Sequence, residues 1–330
     1  MGAMFAFLVV AVLIVVAFIG VKVAGLAYLF GVVIPYLAFL VFTLGMIYRV
    51  VKWSKSPVPF RIPTTGGQQK TLPWIKPSKL DNPSTGAGVI GRMLLEIFLF
   101  RSLFRNTRTE LHPGPRLAHK WEKWLWLAGL AFHWSFFIVL LRHLRFFTNP
   151  VPSFLRIIES LDGFLQIGTP RLLMTGLILL GAVIYLLLRR FYIPQVRYIS
   201  LPADYFPLFL IIAIASTGIL MRYFTKVHIV GVKELTMGLV TFNPSIPEGV
   251  GTIFFIHIFL VSTLFAYFPF SKLVHLGGIF LSPTRNLANN NRMVWHENPW
   301  NYPVKVHTYE EYEEEFREKM KMAEIPVEKE

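Results

Sequence analysis

Six long apolar runs alternate with polar segments along the chain. They cover residues 4–21, 26–50, 124–147, 170–191, 203–221 and 251–270. At about 1.5 Å per residue, each is long enough to cross a hydrocarbon core of roughly 30 Å as a helix. Lys22 between Gly20 and Gly25 marks a tight turn, so residues 1–50 read as a hairpin, with Pro35 predicted to kink its second helix. Asn149–Pro152 ends the third run. Thr169 and Pro170 suit the N-cap and first turn of the fourth. Pro269 is placed to break or bend the sixth. The pattern predicts an all-α integral membrane six-helix bundle, with a cytoplasmic segment at 51–123, a core at 124–282 and a tail at 283–330.

Composition agrees. Of 330 residues, 54% are hydrophobic and mean hydropathy is +0.52, too apolar for a soluble globule. The formal net charge of +14 could suggest a nucleic-acid partner, but its distribution points to the membrane instead. Residues 52–123 hold thirteen Lys or Arg against four Asp or Glu, as expected of a cytoplasmic loop. The loop to Thr169 has one basic residue, Arg156, with Glu159 and Asp162, and reads as external; Arg189, Arg190 and Arg197 bring the chain back inside. Both termini are then cytoplasmic. No Lys or Arg precedes the first apolar run, so a retained span is expected rather than a cleaved signal peptide. With no cysteine, disulfides, Cys-held clusters and thioether-linked haem are excluded.

Within the basic loop, residues 88–105 are helical in pattern but carry Arg92, Glu96, Arg101 and Arg105. That mixture predicts a helix lying at the membrane surface with its arginines toward headgroups, compatible with a docking face for a cytoplasmic partner. Trp121, Trp124 and Trp126 form an aromatic belt where the third span begins. Residues 309–322 predict a charged helix in the tail.

The candidate chemistry lies in two of the spans. The third carries His133 and His143, ten residues apart, and the sixth segment carries His257 and His275, eighteen apart. Intramembrane histidine is costly and marks a site by default. The third helix runs outward and the sixth inward, which pairs His133 with His275 near the inside and His143 with His257 near the outside. Eighteen residues are five whole turns, so His257 and His275 would share one face; ten residues set His133 and His143 about 80° apart. Ideal helices would separate the two histidines by about 15 Å on one span and about 27 Å on the other, so the rises do not match. An imidazole on each axial face of haem iron suits electron transfer. The bland alternative is four histidines hydrogen-bonded to neighbouring helices.

These intervals resemble those of the nitrate reductase gamma-subunit type of dihaem cytochrome b. The segments TELHPGPRLAHKWEKWLW (109–126) and FSKLVHLGGIFLSPTRNLANNNR (270–292) resemble the cytochrome b-like subunit family of Hdr-like menaquinol oxidoreductases. The resemblance implies a five-helix dihaem core preceded by an extra helix, with two non-covalent haems b. It further implies oxidation of menaquinol near the outer face and a cytoplasmic iron–sulfur partner subunit related to heterodisulfide reductase.

Arg142, Arg145 and Arg222 sit at outer helix ends, against the charge bias. They suit either lipid phosphates or haem propionates, as do Lys272 and Arg285 on the inner side. Glu159 and Asp162, the carboxylates following His143, are the candidate proton acceptors for a quinol; Asp204 belongs to the opposite face. His112, His119, His228, His296 and His307 read as surface residues. A cofactor-free transporter would show two corresponding halves with broken helices, and no repeat is evident. A plain anchor for soluble subunits would not need four histidines. No H-E-x-x-H metalloprotease motif occurs.

Overall fold

The computed structural model describes residues 2–56, 67–114, 116–290 and 306–329. Six of its helical segments are long and apolar enough to span a membrane, as the hydropathy pattern predicts. They are α1 (Gly2–Lys22), α2 (Ile34–Ser54, preceded by a π-turn at Leu29–Val33), α4 (Lys123–His143), α6 (Met174–Tyr192), α7 (Pro202–Ile219) and α9 (Thr252–Tyr267). Between α1 and the π-turn, Gly25 supplies a positive φ of 67°, and the π-turn ends two residues before Pro35. Between and after the spans lie α3 (Gly86–Leu99), the strands β1 (Thr107–His112) and β2 (Arg116–Trp121), α5 (Ser153–Asp162), α8 (Ile229–Val240), α10 (His275–Leu281) and α11 (Tyr309–Met322).

The core joins α1, α2, α7, α8 and α9 around Leu210, Leu235 and Leu260, all fully buried. In a bilayer this packing is held by close contact rather than by escape from water. Helix α4 stands outside that cluster and leans on α6, while α9 packs on α1, α2 and α7. The two histidine-bearing helices therefore make no extended contact with each other. One end of the bundle gathers Gly2 against Pro202, Glu122 with Arg189, and Lys272 with Asp204. This is the basic end; α5 and α8 cover the other.

Several local expectations are corrected. The helix read over 88–105 stops at Leu99, because Phe100 adopts a left-handed φ of 50° and turns the chain. Its arginines have partners within the protein. Arg101 and Arg105 both pair with Asp81, and Arg92 donates to the carbonyl of Thr284 (3.1 Å). Burial alone would raise the Asp81 carboxyl, but hydrogen bonds from Arg101, Arg105 and Ser78 hold it down at about 2. The carbonyls of Phe98 and Leu99, orphaned at the end of α3, accept from the indoles of Trp134 (3.0 Å) and Trp126 (2.7 Å) of α4. Trp126 is thus a helix cap as well as a belt residue.

The all-α reading missed the antiparallel β1–β2 hairpin, in which His112 pairs with Arg116 and Thr107 with Trp121. It also missed α5 and α8 inside the segments taken as outer loops. The fourth span starts at Met174, not Pro170. Its first turn is capped by the Asp162 carboxylate, which accepts from Thr175 N (2.7 Å) and Thr175 Oγ1 (2.6 Å). The tail helix α11 matches its predicted limits, and Thr308 caps it.

Candidate functional site

Helix α4 presents His133 one way and His143 about three turns further along. Opposite it, His257 sits within α9. His275 does not continue that helix. The α-helix ends at Tyr267, residues Phe268–Phe270 form a 3-10 turn, Ser271 is extended (φ −115°, ψ 178°), and His275 opens α10. The argument that five whole turns put His257 and His275 on one face is therefore overturned. The same break removes the straight-helix premise behind the mismatched rises.

The result is two facing pairs. The rings of His133 and His275 have centroids 5.9 Å apart with planes at 82°. Those of His143 and His257 lie 6.4 Å apart and nearly parallel, at 15°. Two imidazoles bound trans to one metal at about 2.0 Å per bond place their centroids roughly 6 Å apart. Both pairs have that separation.

The second nitrogen of each ring fits the same role. Nδ1–H donates to a backbone carbonyl in His133 (Gly129, 2.7 Å), His143 (Val139, 2.7 Å) and His275 (Lys272, 2.9 Å). A carbonyl can only accept, so the proton sits on Nδ1 and the Nε2 lone pair is free to bind. His257 differs, since its Nδ1 meets Thr217 Oγ1 of α7 at 2.9 Å. That hydroxyl already has the carbonyls of Ala213 (2.8 Å) and Ile214 (2.9 Å) to donate to, and so accepts from His257. Among the described residues no group of three or more His, Cys, Asp or Glu could hold a bare metal ion. A porphyrin brings four nitrogens of its own and asks the protein for two axial ligands, which is what each pair offers.

Charged residues at the two ends are engaged by each other. Arg142 Nε lies 3.0 Å from Asp162, with side chains 11% and 2% exposed. Arg145 holds both oxygens of Glu159 at 2.7 Å, and Arg222 donates to the carbonyl of Arg171 (3.2 Å). At the basic end Lys272 binds Asp204 at 2.7 Å, and Arg285 lies 3.4 Å from buried Glu96, which also accepts from Ser102. Of the five candidate propionate partners, Arg142, Arg145, Lys272 and Arg285 thus have protein carboxylates beside them, and Arg222 has a backbone carbonyl. His112 and His119 lie on the hairpin, His228 caps α8 by accepting from Gly231 N (3.3 Å), and His307 lies 3.7 Å from Glu315. None joins the pairs, and His296 lies outside the described residues.

Residues 95–295, which include all four paired histidines, match the family described as nitrate reductase gamma subunit. The chain belongs to that family. Members similar to it include the Hdr-like menaquinol oxidoreductase cytochrome b-like subunit of Archaeoglobus fulgidus, 48% identical over 279 residues, covering 82% of this chain and 83% of the relative. The protein of the same description from Archaeoglobus profundus is 43% identical over 274 residues, covering 81% of each chain. The respiratory nitrate reductase 1 gamma chain of Escherichia coli is 34% identical over 126 residues, covering 36% of this chain and 54% of its own. The matched region of this gamma-family chain begins after α1 and α2.

Thr217 was not legible in the sequence, since a threonine in an apolar span usually bonds to its own helix. Its acceptor role makes His257 a stronger electron donor to a bound metal. Thr217→Val should therefore raise the midpoint potential of any haem bound between His143 and His257, leave one bound between His133 and His275 unmoved, and be reversed by Thr217→Ser. Redox titration of the two optical signals checks this.

Proposed function

We propose that this chain is the dihaem b subunit of a membrane menaquinol oxidoreductase. The single observation that carries the reading is the pair of facing histidine couples, each at axial-ligand separation with every Nδ1 tied. The two Archaeoglobus relatives, cytochrome b-like subunits of Hdr-like menaquinol oxidoreductases, support the quinol and the membership of a larger complex. His133 and His275 hold one haem at the basic end, and His143 and His257 hold the other. Bound there, the haems supply one-electron transfer along the bundle. The positive-inside bias puts the basic end, both termini, the loop 51–123 and the tail in the cytoplasm, where an iron–sulfur subunit receives the electrons.

Quinol reacts at the far end. Of the two carboxylates there, Asp162 has both oxygens committed to Thr175 and Arg142, and its role is to cap α6 and hold α4. Glu159 is part-exposed, with Arg145 its side-chain partner among the described residues, so it takes the proton.

The test is a reduced-minus-oxidised optical spectrum of the purified chain with haem quantified by extraction. It should show b-type bands at about two haems per chain. A protein purified without haem ends this reading and favours a transporter or a plain anchor.

A further inference from the structure

Helix α2 lies before the region matched to the gamma-subunit family, yet it packs on the break that aims His275. We propose, resting on the haem reading above, that α2 is the positioning element for the basic-end axial ligand and that Arg49 is its main positioning residue.

A helix that stops in mid-bundle leaves carbonyls without their usual donors, and at membrane depth each one must find another. The orphan at Pro269 is taken up by Arg49, whose Nε donates to it at 2.7 Å. The approach that makes this bond reachable depends on Gly45. A Cβ at that position would lie 2.6 Å from Pro269 Cβ and 2.8 Å from Pro269 Cγ, so only glycine lets the two backbones come this close. Phe42, Gly45, Arg49 and Trp53 fall at spacings of three and four residues, which is one stripe of a helix. Phe42 meets the ring of Phe268 edge-on at 5.5 Å. Trp53 reaches Gly278 of α10, within 3.8 Å of where its Cβ would stand. The stripe therefore runs along the break from its start to the helix that His275 opens.

The ring itself is tied into this segment. His275 Nδ1 donates to the carbonyl of Lys272, and the Lys272 ammonium is pinned by Asp204 of α7. Ser271 Oγ accepts from Leu273 N (3.1 Å) and shapes the turn between them. Move Pro269, and the carbonyl that orients His275 moves with it. Nothing equivalent is required at the far end, where His257 sits inside the regular helix α9 and is tied to Thr217. The device acts on one pair alone, and that asymmetry makes it testable.

The experiment uses the full chain in membranes, with the two haems resolved by low-temperature optical and low-spin EPR spectra. Arg49→Leu removes the donor and should weaken retention of the basic-end haem about tenfold, the size of effect expected when a ligand's support is lost. It should also shift that haem's EPR signal while the far-end signal stays unchanged. Arg49→Gln places an amide nitrogen at the same point along the side chain and should restore both. Gly45→Ala probes the contact without touching charge and should reproduce the selective change. Unchanged basic-end signals in both Arg49→Leu and Gly45→Ala overturn the proposal while leaving the haem reading intact, as does an equal change in both haems. If His275→Ala leaves every haem signal in place, the haem reading itself falls and this proposal with it.

Discussion

On the proposed dihaem reading, replacing His257 with Ala should remove the haem held with His143 and leave the one held by His133 and His275, so that haem content should fall from about two to about one per chain. His275→Ala does the reverse. The selectivity follows from geometry. Each pair has its own ring-to-ring separation, 6.4 Å and 5.9 Å, and its own second-nitrogen ties, and none of these is shared between the pairs. An alanine withdraws one axial ligand and leaves a single imidazole on a site built for two. Difference spectra of the two variants should each lack one component, and their sum should account for the wild-type spectrum. If either variant keeps both components at full amplitude, the pairing is wrong.

Glu159→Gln lowers menaquinol oxidation by about 10² to 10⁴-fold, the usual worth of a positioned general base, with both haem spectra unchanged. Glutamine keeps the shape and can still face Arg145, but it cannot take a proton. Asp162→Asn behaves differently. It withdraws the partner of a nearly buried guanidinium and weakens the cap of α6, at a cost of about 3–5 kcal/mol, so yield and thermal stability fall before any rate is measured. A quinol-site inhibitor should perturb only the haem lost in His257→Ala. If quinol reacts at that end as proposed, turnover should be electrogenic, each charge working against about 2.3 kcal/mol per 100 mV. Full turnover in Glu159→Gln, or a spectral shift confined to the haem lost in His275→Ala, moves quinol chemistry to the basic end.

Much of the scaffold was readable because membrane spans are local objects. A segment in hydrocarbon must satisfy its backbone internally, so an apolar run of sufficient length becomes a helix whatever its neighbours do. That is why all six spans and the turn at Gly25 agree with the pattern. The same logic fails for the segments between them. Strands β1 and β2 need each other, and α8 is a helix whose Leu235 fills the core under what reads as a loop. The charged helix at 88–105 was misread at its end because a left-handed Phe100 has no marker in composition; the carbonyls just before it are capped by Trp126 and Trp134 of another helix.

The four histidines and their pairing partners follow from residue type, interval and the alternating direction of successive spans, all of which are local or one-dimensional properties. The interval of eighteen residues misled on one point: it implied a straight helix with two ligands on one face, whereas Pro269 and the extended Ser271 interrupt it. Whether the helix can stop there depends on whether another group donates to the carbonyl left without its partner, and at Pro269 that donor is Arg49, 220 residues earlier. The carboxylate partners of Arg142, Arg145, Lys272 and Arg285, the hydroxyl that ties His257, and the spacing that holds α4 off α9 are likewise products of folding. Sequence by itself determined the membrane spans and which histidines could meet. Tertiary structure decided how each imidazole is aimed, because a ligand's orientation depends on the atom that holds its other nitrogen, and for His257 that atom lies on a different helix.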